Sequence, residues 1–313
     1  MKLLTLWRLL FLTIFVMLLA ACHKDDDDGG GKSAANTNVN ANPIDKEPAL
    51  QRLEFPRVKE GNSIVLIHTT NDQYGINYSV EWDLDKKSQR WSAYQMTAAT
   101  LAQNTQRYYS TTDQYPFDPL LPSLDTDYYY GSGFDHGHMC PSYDRLYSFD
   151  ANYQTFFLTN MQPQYKAFNG SLSGNESYKN EWSPWYQLEG KDGLIRRVTK
   201  NTASKVLYVV KGGTIEDDQI QPTLVKGVMR VPKYFFVALL LENFEGYMAI
   251  GFWMEHKSSY DKKVSLSDCA VNIRDLEEKT GIDFFCNLPD NIENRVETLP
   301  IENVKRAWET LLN

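Results

Sequence analysis

The chain of 313 residues is poor in cysteine, with four, and short of positive charge, with 32 Lys and Arg against 40 Asp and Glu for a formal net charge of −8. That acidic balance excludes a protein that holds polyanions through a general basic surface, because binding by counterion release needs a visible excess of Lys and Arg. Any polyanion contact has to rest on a local basic cleft, on a divalent cation, or on weak binding with fast turnover. Four cysteines are too few for a disulfide scaffold. In an oxidising compartment the three beyond Cys22 leave one pair and one thiol. Cys269 and Cys286 flank a short helix-like segment and are the expected pair, with Cys140 reduced. Histidine is scarce as well, with five in the chain. There is no internal repeat and no second linker, so the chain from Leu50 onward reads as one large domain.

The start of the chain is informative. Lys2 and Arg8 precede an apolar run from Leu9 to Ala21 that stops at Cys22. This is the layout of a secretory signal, too short and wrongly flanked for a spanning helix. Ala20 and Ala21 before Cys22 resemble the lipobox of bacterial lipoproteins, which implies removal of residues 1–21 and acylation of Cys22. An ordinary signal with an incidental cysteine is the other reading. The expected place is extracytoplasmic, at the outer membrane, through lipid on Cys22. Residues 22–48 carry an acidic cluster, a Gly run and an Ala/Asn-rich stretch, with too few apolar side chains to offset ordering entropy, and read as a flexible tether. The cluster Asp25–Asp28 resembles the surface-export signal of some bacterial lipoproteins, or is a solvated spacer. The folded domain is then 49–313.

Within it, Ser63–His68 is a β-rich apolar run, and Ile76–Trp82 alternates as a half-buried strand does. Further strands are expected at Trp91–Met96, Val206–Val210, Tyr234–Leu240 and Tyr247–Met254. Helical periodicity marks Val271–Thr280, ended by Gly281, and Ile301–Leu312. A long irregular stretch holds Pro116, Pro119 and Pro122, and loops of that length are usually functional. Strands dominate, which gives an α+β fold around a central antiparallel sheet with flanking helices. The many tyrosines, such as Tyr128–Tyr130, suit core and edge strands or base stacking.

The richest stretch runs from Gly131 to Ser142, where Asp135-His136-Gly137-His138 places two of the five histidines between glycines. Glycine permits torsions that aim a neighbouring side chain sharply. One reading is phosphodiester hydrolysis, with a neutral imidazole taking a proton from water while a divalent cation offsets charge on the phosphate. Zinc ligation by His136 and His138 is a second, with no third ligand at familiar spacing. Thr155–Gln164 is read as a β-rich segment ending in amides, followed by Asn169 and Trp185-x-x-Leu188-Glu189. Mg²⁺ favours oxygen ligands and accepts a single amide oxygen, so an Asn near a His base makes a sensible one-metal site.

These motifs together resemble the DNA/RNA non-specific endonuclease family, whose fold is the ββα-metal fold and whose first motif usually reads Asp-Arg-Gly-His. The resemblance covers most of Leu50 to Asn287. It implies His138 as general base with Asp135 and His136 beside it, Asn169 as the metal ligand of one Mg²⁺ or Mn²⁺, and Glu189 holding the metal's water shell. Asn160 and Gln164 match positions that support the site and contact substrate. DNA and RNA are the implied substrates. Two departures stand out. His136 replaces the usual arginine and could serve as a cationic imidazole below about pH 6.5. An insertion from Gly170 to about Trp182 makes Asn180 a rival metal ligand. Arg145 is a candidate phosphate contact or an ordinary surface arginine. A nucleic-acid-binding lipoprotein with a weakened active site and a small-substrate phosphodiesterase are the competing functions.

Overall fold

A computed structural model describes residues 37–312 apart from 173, 202 and 203. Signal residues 1–21 and Cys22 lie outside the described residues. Among the described residues no helix is long and apolar enough to cross a membrane.

Seven strands form one antiparallel sheet: β1 (Ser63–Thr69), β2 (Ile76–Asp83), β3 (Ser88–Met96), β6 (Ser204–Gly213), β7 (Tyr234–Asn243), β8 (Gly246–Glu255) and the short β9 (Ala270–Val271), hydrogen-bonded in that order. The sheet is covered on both sides, so its central strands read as continuous apolar runs whose alternate residues enter different cores. On β7, Phe235, Val237, Leu239 and Leu241 face one core, while Phe236, Ala238 and Leu240 face the other. Each such fully buried Phe or Leu contributes roughly 1.5–3 kcal/mol of hydrophobic stabilisation.

The first core is closed by α3 (Pro184–Glu189), α4 (Leu194–Lys200) and α8 (Ile301–Leu312) through Trp185, Leu188, Leu194, Val198, Val304 and Trp308. The second is closed by α6 (Ile273–Thr280) and α7 (Asp290–Glu297), through Ile273, Leu276 and Val296, with Leu50 and Phe55. Helix α6 begins at Ile273 rather than Val271, because Ala270 and Val271 pair with Phe252 and Gly251 as β9. The Asn272 side chain caps its first turn, and Gly281 at φ 64 ends it.

Two expectations are corrected here. Cys269, at the end of α5 (Leu266–Cys269), belongs to the first core, while the Cys286 thiol lies 3.7 Å from the carbonyl oxygen of Phe55, a residue of the second, so the sheet lies between them and both are free thiols. Part of the expected tether is also held against the domain: Asn42 is 2 % exposed, donates to the carbonyls of Leu50 and Pro56, and accepts from Val58 N. Thr37 and Asn40 bond to Asp290 and Asp283.

A second sheet has two antiparallel strands, β4 (Asp135–His138) and β5 (Met161–Gln164), with Asp135 opposite Gln164 and His138 opposite Met161. The segment expected as β from Thr155 is strand only from Met161. Helix α1 (Phe149–Gln154) and a 3-10 turn at Leu158–Asn160 precede it. The short helix α2 (Lys166–Asn169) follows, so the chain order is β4, α1, β5, α2, and the paired strands lead into a helix.

Candidate active site

The position of β4 is set by one buried amide. Asn160 is fully buried; its Oδ1 accepts from Cys140 N at 2.8 Å, and its Nδ2 donates to Cys140 O at 2.9 Å and Thr155 O at 2.7 Å. The backbone leaving His138 is thereby tied to β5. Gly137 completes the fit, since a Cβ there would come within 2.4 Å of the Gln164 side chain.

His138 lines a cleft of about 450 Å³ together with Arg107, Tyr115, Asp135, His136 and Asn169. Its Nδ1 is 3.2 Å from the His136 carbonyl oxygen, which can only accept. The proton of the neutral ring is therefore on Nδ1, and Nε2 carries the lone pair. Nε2 is buried and has no partner among the described residues. Burial pushes the imidazole well below its ordinary value of 6.5, with the Arg107 charge adding to the effect. The ring meets Phe156 edge-on at 5.0 Å. A neutral, oriented imidazole with an uncommitted lone pair has the chemistry that a general base needs.

Asn169 ends α2, anchored by Phe168, which is fully buried against Trp185 and Phe235. Gly170 follows at φ 75 and packs so closely on Tyr186 that a Cβ would come within 2.5 Å of the ring. Asn169 Nδ2 donates to Asp135 Oδ2 at 3.1 Å, and Ser171 Oγ donates to the same oxygen. Asp135 thus fixes the amide by its nitrogen and leaves Oδ1, the atom hard cations choose, for an ion. Asn180 lies in the 3-10 segment Gly174–Trp182 and is not among the residues lining the cleft. Asn169 is the asparagine that shares it with His138.

Several expected contacts are corrected. Arg145 is 1 % exposed; it donates to the carbonyls of Asn77, Gln95 and Asp144 and lies 4.7 Å over the Tyr94 ring, so it holds β2 and β3 to the loop after β4 and reaches no phosphate. Asn160 and Gln164 are fully buried and support β4 from behind rather than touching substrate. His136, in place of the usual arginine, lines the cleft with its ring engaged by neighbours. Its ring stacks on Tyr115 at 3.5 Å and on Tyr129 at 4.3 Å, and Nε2 faces Asp127 Oδ2 at 2.9 Å. The two histidines point to different partners, a backbone carbonyl and a carboxylate, which leaves no shared zinc position. Cys140 is fully buried, and burial pushes its thiol up to about 12, which removes it as a nucleophile.

Glu189, at the end of α3, accepts from the fully buried Lys211 of β6, whose ammonium lies 4.4 Å from the Trp185 ring. Burial raises the Glu189 carboxyl and Lys211 opposes that rise. Arg196 donates to the carbonyls of Glu189 and Gly190 and pairs with Asp144 at 2.7 Å, fixing the end of α3. Glu189 is thus tied to Lys211 and does not line the cleft directly.

The cation that the motif lacks comes from the irregular loop. Arg107 lines the cleft, its guanidinium lies 4.7 Å over the Phe156 ring, and it makes no ion pair among the described residues. Burial lowers its affinity for a proton, which leaves an incompletely solvated charge facing the cleft. Arg107, Tyr115, Asp127 and Lys211 escaped sequence reading; an isolated arginine in a long loop was the only signal available.

A fold of a large antiparallel sheet with a ββ-helix unit, presenting a histidine base beside an asparagine, defines a metal-dependent phosphodiester hydrolase. Residues 59–291 match the family model described as DNA/RNA non-specific endonuclease, and the chain belongs to that family. It is 28% identical over 224 residues to "Nuclease C1" of Cunninghamella echinulata var. echinulata, covering 68% of this chain and 81% of that protein. It is 28% identical over 235 residues to "Nuclease" of Nostoc sp., covering 71% and 75%. Human "Endonuclease G, mitochondrial" is 27% identical over 164 residues, 51% of each chain. Among solved structures, the EndoG/EndoGI complex aligns with a TM-score of 0.53 at 21% identity, covering 72% of this chain and 88% of that one, which supports the fold. The chain is a nuclease, a sequence-non-specific endonuclease of DNA and RNA.

Proposed function

We propose that His138 activates the water that attacks phosphorus, and that Asn169 Oδ1 binds a single Mg²⁺ or Mn²⁺. The observation that carries this reading is the uncommitted, buried Nε2 of His138 in the same cleft as Asn169 and Arg107. The donor chemistry fits such an ion: an oriented amide oxygen, with a carboxylate beside it and room for retained waters. When bound, the cation offsets the charge that develops on the phosphate oxygens. His138 takes the water's proton on Nε2, while the Nδ1 bond to the His136 carbonyl holds the ring and disperses the positive charge it acquires. Asp135 keeps Asn169 turned for binding, and Arg107 contacts a non-bridging phosphate oxygen. The Lys211–Glu189 pair holds α3 against β6, and Glu189 would help to order the water around a bound ion. Phosphate recognition of this kind carries no base information, which suits broad cleavage.

His138→Ala should reduce cleavage of both DNA and RNA by about 10²–10⁴ while leaving the thermal midpoint near that of the parent. EDTA should abolish the parent's release of acid-soluble nucleotides. Parental rates from the variant in Mg²⁺ would overturn the assignment. We also propose that the enzyme works outside the cytoplasm as a lipoprotein acylated on Cys22, on the strength of Lys2, Arg8, the run Leu9–Ala21 and the small residues before Cys22. Labelling with radioactive palmitate should be lost in Cys22→Ser, and retention of label in that variant would refute acylation there.

A further inference from the structure

One strand away from the catalytic histidine lies a second cavity, of about 230 Å³, that the hydrolytic chemistry does not use. Trp82, Leu124, Tyr128, Tyr129, Met161 and Met229 form its walls. Tyr129 also lines the catalytic cleft, where it stacks on His136, so one aromatic side chain separates the two spaces. Met161 and Pro163 border the cavity and are the register partners of His138 and His136. Neighbouring strands lie about 4.8 Å apart, so the strand that borders the cavity lies one such spacing from the strand that carries His138.

Gln89 also lines this cavity. It is fully buried, and neither Oε1 nor Nε2 has a partner among the described residues. The neighbouring amide of Gln162 is different, with bonds to Gln89 O, Gly213 O and Gly213 N. A buried carboxamide with both ends unpaired is costly and uncommon. A bulge in the sheet is what aims it there. Glu81 pairs with Trp91 but Trp82 pairs with Gln89, so Arg90 is the extra residue on β3. Without it, Gln89 would share the face of Trp91 and lie in the second core. The extra residue turns it to the face of Trp82, toward the cavity.

A carboxamide presents a donor and an acceptor side by side, the pattern that pairs in bidentate fashion with a nucleobase edge. Tyrosine and tryptophan walls offer faces for a flat ring. The volume exceeds the roughly 150 Å³ of an apolar cavity able to hold benzene. We propose that this cavity is a nucleobase pocket, in which a base unstacked from the strand being cut packs beside Tyr129 and pairs its edge with the Gln89 carboxamide. The proposal deepens the nuclease reading and rests on it for the polymer. It names the preferred substrate as nucleic acid with unpaired bases, because a base in a duplex must give up its stacking and its pair to enter.

The test uses the full chain and the four free nucleosides in EDTA, followed by calorimetry, so that no bond is available to cut. At least one nucleoside should bind saturably. Gln89→Leu, which keeps the volume and removes donor and acceptor, should weaken that binding by about 5–150-fold, the factor expected for one bidentate base contact. Its Tm should equal or exceed the parent's, since an unpaired buried amide is removed; a glutamine with a merely structural role would give a lower Tm. With Mg²⁺ present, the parent should cut single-stranded homo-oligonucleotides faster than the same strands annealed, at rates that differ between bases, and Gln89→Leu should shrink those differences. Absence of saturable binding by every nucleoside, or unaltered binding in Gln89→Leu, overturns the pocket. Nucleoside binding without metal-dependent cleavage of any polymer would instead refute the catalytic reading and leave the pocket standing.

Discussion

Arg107→Met removes a cation that lines the cleft while keeping a flexible side chain against Phe156, on which the guanidinium lies at 4.7 Å. Three consequences follow from the geometry. A charge-assisted hydrogen bond to phosphate contributes about 1.5–3 kcal/mol. At about 1.4 kcal/mol per factor of ten, its loss lowers kcat/KM by roughly 10–150-fold. The second consequence concerns His138, whose pKa is held well below 6.5 by burial and next by the Arg107 charge. Only the neutral ring can take a proton, so activity is lost as pH falls through that pKa. Removing the neighbouring charge lets the pKa rise, and the acid limb of the rate profile should move to higher pH. The logarithmic salt dependence of binding should also become shallower by about 0.9, as for one phosphate contact. Initial rates of plasmid nicking across pH and ionic strength read all three. A variant of parental rate, or one whose acid limb stays put or moves to lower pH, would refute the placement of Arg107 at the phosphate.

Other perturbations separate support from chemistry. Asn160→Ala strands the Cys140 amide and carbonyl, and urea unfolding should show a loss of about 2–4 kcal/mol, from buried groups costing about 1–3 kcal/mol each; parental stability would mean that β4 is held by other means. Arg145→Met strands the carbonyls of Asn77, Gln95 and Asp144 and should lower stability by about 3 kcal/mol or more, at about 1–3 kcal/mol for each buried group, and a stable variant with weakened DNA binding would restore the phosphate-contact reading. Burial, together with Glu277 and Glu293, pushes Glu297 up to about 9, against an ordinary 4.5. Between those values the folded chain holds a proton that the unfolded chain has released, so stability falls as pH rises through the window. Melting curves of Glu297→Gln should lose less Tm than the parent on passing from neutral to alkaline pH, and parallel curves would show that this carboxyl is not the source.

How much was legible depended on whether the signal was local. The strands β1, β2, β7 and β8 were visible because runs of apolar and β-branched or aromatic residues lie next to one another in the sequence, as strands covered on both faces require. The cap at Asn272 and the stop at Gly281 set α6, but its first turn lost two residues to pairing with β8. Asn169 could be chosen by spacing, and the cleft it shares with His138 agrees with that choice. Arg145 stands near the motif in sequence, which makes it a candidate phosphate contact or a surface arginine, yet it is buried, whereas Arg107, farther off and in an irregular loop, lines the cleft.

The order of residues alone determined the family and the α+β class and singled out His138 as the candidate base, because the motif carries its own glycines, amides and spacing. Which partner each polar group would find was decided only by folding. Whether Cys269 and Cys286 can meet depends on which side of a sheet each occupies, and what His136 faces depends on Tyr115, Asp127 and Tyr129 arriving from the loop before it. A single extra residue in β3 likewise turned Gln89 from one face to the other. Such outcomes rest on contacts between segments far apart in the chain, and no local pattern encodes them.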